Sequence, residues 1–529
     1  MENTAIAGGA DALELMDEDV FAQGATYLAI ETPLDRLFVE HRNIKANIEQ
    51  FAQVMQTTGA VALRYFIEAT NVDRHASARM PDFDVELAVK ALDAEYWSAA
   101  VRLTDVLDLM PAATRHEWGE QIREHKTPPF EESSVRETLR AMIADRSRYF
   151  AERVDGVFRS LSRSHVTNVP QGFGKRMIIA AVLDRYGFIN HQKADYIADL
   201  RKVIARFMGR DEEVSYETSR AIGAIVDRNN FGQWQTFDGG SFRMRIYRVG
   251  TAHLEVHPLI AYRLNQVLAS LYPAAIPEAH RARPPQKKLK EFDLDFNLVS
   301  VSTIRFLSRL RWNPDRRGFF SGEGEPSRET REVLQAIGGA PTPGSRAGSL
   351  FWSFDYDAGP AIEHIIRTGQ IPTEASHQFY PTPADLVDRM VDLAEVDASD
   401  TVLEPSAGQG SIALRFDPSQ ITCVEISALH VAVLAGRGLK AICADFLAWE
   451  SPETFSRILM NPPFSKGRAV AHVERAAGML SPGGRLVAIL PATVRGQEIV
   501  PGMRHEWSEP LKRRFGSAEV TIGILVLTH

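Results

Sequence analysis

Through most of the first 230 residues, apolar side chains recur every three to four positions. Examples are "NIKANIEQFAQVMQ" (Asn43 to Gln56) and "VRETLRAMIADRSRYFAERVDGVFRSL" (Val135 to Leu161). That spacing predicts helices packed on one apolar face, the second starting at Ser133-Ser134. At "FRMRIYRVGTAHLEVHPL" (Phe242 to Leu259) the period falls to two, which predicts a β-hairpin turning at Val249-Gly250-Thr251. A further helix, "LIAYRLNQVLASLY", follows. From about His377 short apolar runs alternate with helical segments: "TVLEPS", "ITCVEI", "KAICADF", "RILMNPPF", "RLVAILP" and "EVTIGILVLTH". Such alternation predicts a doubly wound α/β sheet whose ligand sits at the C-terminal ends of its strands.

The proline- and charge-rich "PEAHRARPPQKK" and the small-residue stretch "GGAPTPGSRAGS" read as connectors. The expected organisation is therefore a helical region over 1–165, a helical and hairpin domain over 166–280, a basic segment and linker over 281–370, and an α/β domain over 371–529. A chain of 529 residues is too long for one core, so several domains are expected on length alone. With 44% hydrophobic and 24% charged residues, disorder cannot dominate.

Two cysteines, Cys423 and Cys443, exclude a disulfide framework and fit a reducing compartment; both lie in apolar runs and read as buried thiols. The acidic start and the lack of a long apolar run give a cytoplasmic expectation. A net charge of −8 announces no polyanion partner, but local asymmetry changes that. Between Arg281 and Phe320 ten basic side chains stand against four acidic ones, including Lys287, Lys288, Lys290, Arg316 and Arg317. A polyanion or a merely solvated face would each account for them. Arg243 and Arg245, two apart on the hairpin, share one face that a phosphate backbone could use, and ordinary surface arginines account for them equally well.

Chemistry concentrates at the ends of the last strands. The first ends in Glu404 and passes through Ser406, Gly408 and Gly410, expected to enter a helix near Ser411. The second ends in Glu425, about 20 residues on, where a carboxylate can accept from ribose hydroxyls. The third ends in Asp445-Phe446, an acceptor for an adenine amino group beside a ring that can pack on it. So many carboxylates suit a cationic sulfonium nucleoside better than a diphosphate.

Six pieces in order, "FYPTP", "EPSAGQG", "VEI", "ADF", "NPPF" and "GGRLVAILP", resemble the class I S-adenosylmethionine-dependent methyltransferases, specifically the DNA adenine-N6 branch. The resemblance covers about the last 150 residues. It implies S-adenosyl-L-methionine as cofactor, with Phe379, Tyr380 and Thr382 at its methionine end. Glu404, Ser406, Gly408 and Gly410 would form the floor, Glu425 would hold the ribose, and Asp445 with Phe446 the adenine. Asn461, Pro462, Pro463 and Phe464 would be the catalytic loop. The loop's chemistry also follows from the residues. An exocyclic amino group is a poor nucleophile, and two acceptors, the Asn461 side-chain oxygen and the Pro462 carbonyl, would draw its nitrogen towards tetrahedral geometry. Phe464 could stack on a base flipped from the duplex. No covalent nucleophile is required, and no cysteine stands where a cytosine-C5 enzyme would need one.

Guanine-N2 methylation of ribosomal RNA, glutamine methylation of protein, and a DNA-binding or anti-defence protein without activity remain as alternatives. The segment Val166 to Pro277 resembles an uncharacterised domain found ahead of such methyltransferases in phage and plasmid proteins. Because the chain ends just after its last expected strand, target recognition is expected from the first ~370 residues, from a partner, or from loops. Two further motifs carry less. "GFGKRM" lacks the residues of a phosphate loop, and His253, Glu255 and His257 read as a polar strand face before they read as a metal site.

Overall fold

The computed structural model describes residues 27–70, 83–104, 106–162, 165, 167–210, 215–284, 298–313, 318–320, 325–343, 350–371, 381–464, 467–515 and 518–529. The chain forms two compact units. One comprises Met1–Thr236 with Gly240–Phe296, the other Asn297–His529 with Phe237–Gly239.

The first unit is mainly helical, as the periodicity predicts. Helices Tyr27–Val54, Val85–Arg102 and Glu132–Ala144 close on a core containing Leu34, Trp97 and Leu139. The Trp97 indole, fully buried, keeps its polar group satisfied by donating to Pro128 O at 2.8 Å. The long helix expected from Val135 to Leu161 is two helices, Glu132–Ala144 and Arg146–Ser160, broken at Asp145. Ser133 and Ser134 lie inside the first turn, after an N-cap at Glu131.

The hairpin belongs to a four-stranded sheet, ordered β1 (Arg176–Ile179), β4 (Ala252–Val256), β3 (Phe242–Ile246) and β2 (Gln235–Phe237). Met244, Ile246, Leu254 and Val256 are buried on one face, while Arg243, Arg245, His253 and Glu255 occupy the other. The alternation is that of a sheet with one face on a core.

In the second unit, much of what the sequence presents as a linker is folded. Short strands β5 (Arg311–Asn313), β6 (Gly318–Phe320), β7 (Ala340–Pro343) and β8 (Leu350–Ser353) pair in the order β5-β6-β8-β7. Helices Val301–Arg309, Arg328–Ala336 and Gly359–Thr368 pack with them around Leu307, Trp352 and Ile362. Strands of three or four residues are too short to display a period, so the charge of this segment hid its core. Lys287, Lys288, Lys290, Arg316 and Arg317 lie outside the described residues.

The remaining strands form the expected α/β sheet: β9 (Val402–Pro405), β10 (Ile421–Glu425), β11 (Lys440–Cys443), β12 (Phe455–Met460), β13 (Leu480–Pro491), β14 (Arg504–Trp507), β15 (Leu511–Phe515) and β16 (Ala518–Thr528). Their order is β11-β10-β9-β12-β13-β16-β14, with β15 also on β16. The strands from β9 to β13 run parallel, and β16 is antiparallel to β13 through seven register pairs from Arg485↔Thr528 to Pro491↔Ile522. This is the Rossmann-like, doubly wound arrangement, and the inner strands β9 and β10 are buried along their whole length, hence their unbroken apolar runs. Chain direction across the sheet reverses between neighbours β9 and β12. The loops at 406–410 and 461–464 leave the C-terminal ends of these two strands, the switch point where such sheets hold ligands.

Candidate cofactor and acceptor site

Glu404 is the penultimate residue of β9 and is buried, 3% exposed. Its Oε2 has no hydrogen-bond partner. Burial pushes its carboxyl well above the usual range, the Ala413 amide opposes this, and nearby Glu425 adds to it. A buried acceptor without a donor is costly unless something fills the need. A cation would.

The chain then turns through Ser406, Gly408 and Gly410, all with positive φ (62°, 55° and 86°). At Gly410 a Cβ would lie 2.8 Å from Leu434 Cδ2, so glycine is needed for packing as well as for the turn. The expected helix after this turn is absent. A single 3-10 turn, Ala413–Arg415, takes its place, because Pro418 leaves too few residues to nucleate an α-helix. The site therefore has no helix N-terminus here, and its polarity comes from side chains and loop amides.

Glu425 ends β10 and is buried. Its Oε2 accepts from Gly408 N and its Oε1 from Ser427 N, both at 2.7 Å. The carboxylate thus braces the glycine turn, while each oxygen retains a second acceptor position for a ribose hydroxyl. Desolvation raises its pKa, and the amides of Ser427, Gly408 and Ile426 pull against that rise.

Asp445 follows β11, accepts from Leu447 N at 3.1 Å and lies 3.4 Å from Arg468 Nη2. Phe446 does not stand open beside it. The ring is 3% exposed and turned into the core, 5.5 Å from the His472 ring. The apolar side chain that is open at this edge is Ile426, 53% exposed, directly after Glu425. A large aliphatic residue exposed at the end of a buried strand is the signal in "VEI" that the sequence reading left unused. Cys423 is buried as expected, whereas Cys443 is exposed, with its Sγ donating to Ile426 O at 3.8 Å. Desolvation and Glu425 push the Cys443 thiol up, which disfavours its thiolate.

The 461–464 loop leaves β12 beside β9. The Asn461 side-chain nitrogen donates to Thr382 Oγ1 at 3.1 Å, which leaves Oδ1 as the acceptor of that amide. Pro462 is buried, Pro463 is half-buried, and Phe464 packs partly into the cores on both sides of the sheet. Phe379 and Tyr380 lie outside the described residues. Thr382, Glu404, Ser406, Gly408, Gly410, Glu425, Asp445 and Asn461 are thus brought to one edge of one sheet. No cluster of three or more metal-ligating side chains occurs among the described residues. Glu255 lies instead between Arg176 and Arg243, at 2.6 and 2.5 Å.

Residues 89–274 match the family model of a domain of unknown function, DUF4942. A type II methyltransferase of Thermus thermophilus, M.TthHB8I, is 29% identical over 145 residues, covering 21% of this chain and 34% of that protein. The match thus spans about a third of the curated relative's length. Among solved structures, the N-methyltransferase NodS of Bradyrhizobium japonicum, in complex with S-adenosyl-L-homocysteine, aligns at 16% identity and a TM-score of 0.24, over 30% of this chain and 93% of its own. The 23S rRNA methyltransferase ErmE aligns at 19% identity and a TM-score of 0.25, over 28% and 70%. Through part of its length, the chain is related to a methyltransferase.

Proposed function

We propose that the protein transfers a methyl group from S-adenosyl-L-methionine to the exocyclic N6 of adenine in DNA. When bound, the cofactor supplies an electrophilic methyl group on a sulfonium. The residues present fit it. Glu404, with an unpartnered buried oxygen, offers a counter-charge to the cationic methionine end; Glu425 retains acceptor positions for the ribose; Asp445 accepts from the adenine amino group, and Ile426 packs on that ring.

The observation that carries the acceptor reading is the Thr382–Asn461 hydrogen bond. It commits the amide nitrogen and aims Oδ1 as an acceptor, next to a proline carbonyl that rigid φ angles hold in place. Two acceptors on an amino group's hydrogens favour a tetrahedral, nucleophilic nitrogen without any covalent intermediate. The part of Phe464 not packed into the core stacks on the flipped base.

Labelled S-adenosylmethionine is incubated with unmethylated DNA, RNA or protein, and the product is digested and identified. N6-methyladenine from DNA is expected, together with a loss of about a hundredfold in rate for Asn461→Ala, the scale for removing one preorganised polar contact to the reacting group. Label in guanine-N2 of RNA or in glutamine would overturn the DNA assignment. Undiminished transfer by Asn461→Ala would remove the role given to that side chain.

A further inference from the structure

The end of the β1-β4-β3-β2 sheet carries a group of aromatic and basic side chains that methyl transfer does not use. The Arg245 guanidinium lies 4.4 Å from the centroid of the Trp234 ring and 5.1 Å from that of Tyr247. Its Nε is buried without a hydrogen-bond partner, and no carboxylate pairs with it among the described residues. The two other arginines on this face, Arg176 and Arg243, share Glu255. Arg245 is therefore a half-buried cation beside two rings, sharing the Trp234 ring with Arg243, which lies 4.7 Å from its centroid.

The hairpin tip beyond Tyr247 meets the loop after β1. Val182 N and Leu183 N donate to Gly250 O at 2.7 and 3.3 Å. In that loop Asp184 is consumed locally, its Oδ1 accepting from Tyr186 N and Phe188 N at 2.8 and 2.9 Å. The turn so formed projects Tyr186 and Phe188 into solvent, 70% and 72% exposed. Arg185 lies 4.7 Å over the Tyr186 ring, and exposed Arg248 lies 5.1 Å over Phe231. Exposing two large rings is unfavourable in a purely structural loop. Rings beside cations are the composition that holds a nucleic-acid strand: bases stack on the rings and phosphates pair with the guanidinium groups.

We propose that this sheet end, from Trp234 and Arg245 to Tyr186 and Phe188, is a nucleic-acid-binding surface that takes a strand with unpaired bases. Binding here requires no cofactor, so it stands apart from the methyl-transfer reading. The test is fluorescence anisotropy of the full chain, without cofactor, on short labelled single-stranded DNA, duplex DNA and RNA across a salt series. Tyr186→Ala with Phe188→Ala removes exposed rings and leaves the fold's melting midpoint unchanged. It is expected to weaken single-strand binding about tenfold. Arg245→Gln is expected to flatten the slope of log affinity against log salt on single strands by about 0.7, one phosphate contact. Ultraviolet crosslinking of the unmutated chain, expected to map to 184–188 and 234–248, keeps the proposal testable should Arg245→Gln unfold.

Tighter binding to single-stranded DNA than to RNA, or the reverse, identifies the source of the strand. Unchanged affinity and slope in the variants, or no binding of any of the three probes, overturns the surface. Binding that fails in the variants while no nucleic acid accepts label overturns the methylation reading and leaves the surface standing.

Discussion

At the scale of single residues, Glu404 contributes most to the cofactor argument, because its burial is unfavourable in the free protein. Its folded-state pKa is raised, so the folded chain binds more protons than the unfolded one. Its contribution to stability is present below the unfolded pKa and lost as pH rises through the folded value; Glu425 adds the same sign. A bound cation favours the ionised form, so cofactor affinity should rise with pH across that window. Glu404→Gln is therefore expected to make the free protein more stable at about pH 8 than the unmutated chain, with less change between about pH 5 and pH 8 in urea melts. The same variant should bind S-adenosylmethionine at least about tenfold more weakly by calorimetry, the scale of losing a charge-assisted contact. A variant that binds equally well would show that this carboxylate does not face the cation. The type of each residue at these strand ends was legible in the sequence because acids, glycines and prolines there have few other uses. Side-chain direction was not. Whether Phe446 or Ile426 stays exposed depends on the helix Arg468–Ala477 packed over the former, which no local pattern displays.

At the scale of elements, the apolar runs located all six expected strands of the large sheet, β9 and β10 most plainly, since strands buried along their whole length are unbroken and distinct. Its strands β14 and β15 were not expected, and two other elements were misread. The helix expected after Gly410 is a 3-10 turn, and the segment read as a linker is a folded module. That module is tied to the cofactor edge. Its core runs on into Leu429 and Val433 of the helix Ala428–Gly436. Arg437 Nη1 donates to Gln409 O in the glycine turn at 2.5 Å, and its Nη2 lies 3.1 Å from Asp355 of the module. Gln409 Nε2 donates to Ala336 O at 2.6 Å. The junction leaves no room at Gly436, where a Cβ would lie 2.6 Å from Tyr356 Cδ2 and 2.9 Å from Asp357 O. Gly436→Ala is thus expected to lose about 1 to 3 kcal/mol of stability from overpacking, outweighing the helix propensity it gains. Because the glycine turn is held from this side, its affinity for S-adenosylmethionine should fall as well. Chemical denaturation and calorimetry check both; a gain in stability would show that the module does not press on this helix.

At the scale of the whole molecule, the chain divides into two compact units. Every residue assigned to cofactor and acceptor lies within Asn297–His529, and the clusters around Val487, Ile362 and Leu403 are built from that unit's own residues. The nucleic-acid surface proposed above lies wholly in the other unit, within the stretch matched by the domain of unknown function. No described helix is long and apolar enough to cross a membrane. If each core is self-sufficient, residues 297–529 expressed alone should fold cooperatively and bind S-adenosylhomocysteine with an affinity close to that of the full chain. At about a hundred times its Kd the ligand adds about 2.7 kcal/mol to the state that binds it. For a unit of this size that raises the melting midpoint by roughly 5 to 10 °C. The fragment should lose single-strand affinity together with the first unit. A fragment that melts cooperatively but shows no ligand shift, while the full chain does, would mean that the first unit completes the cofactor site.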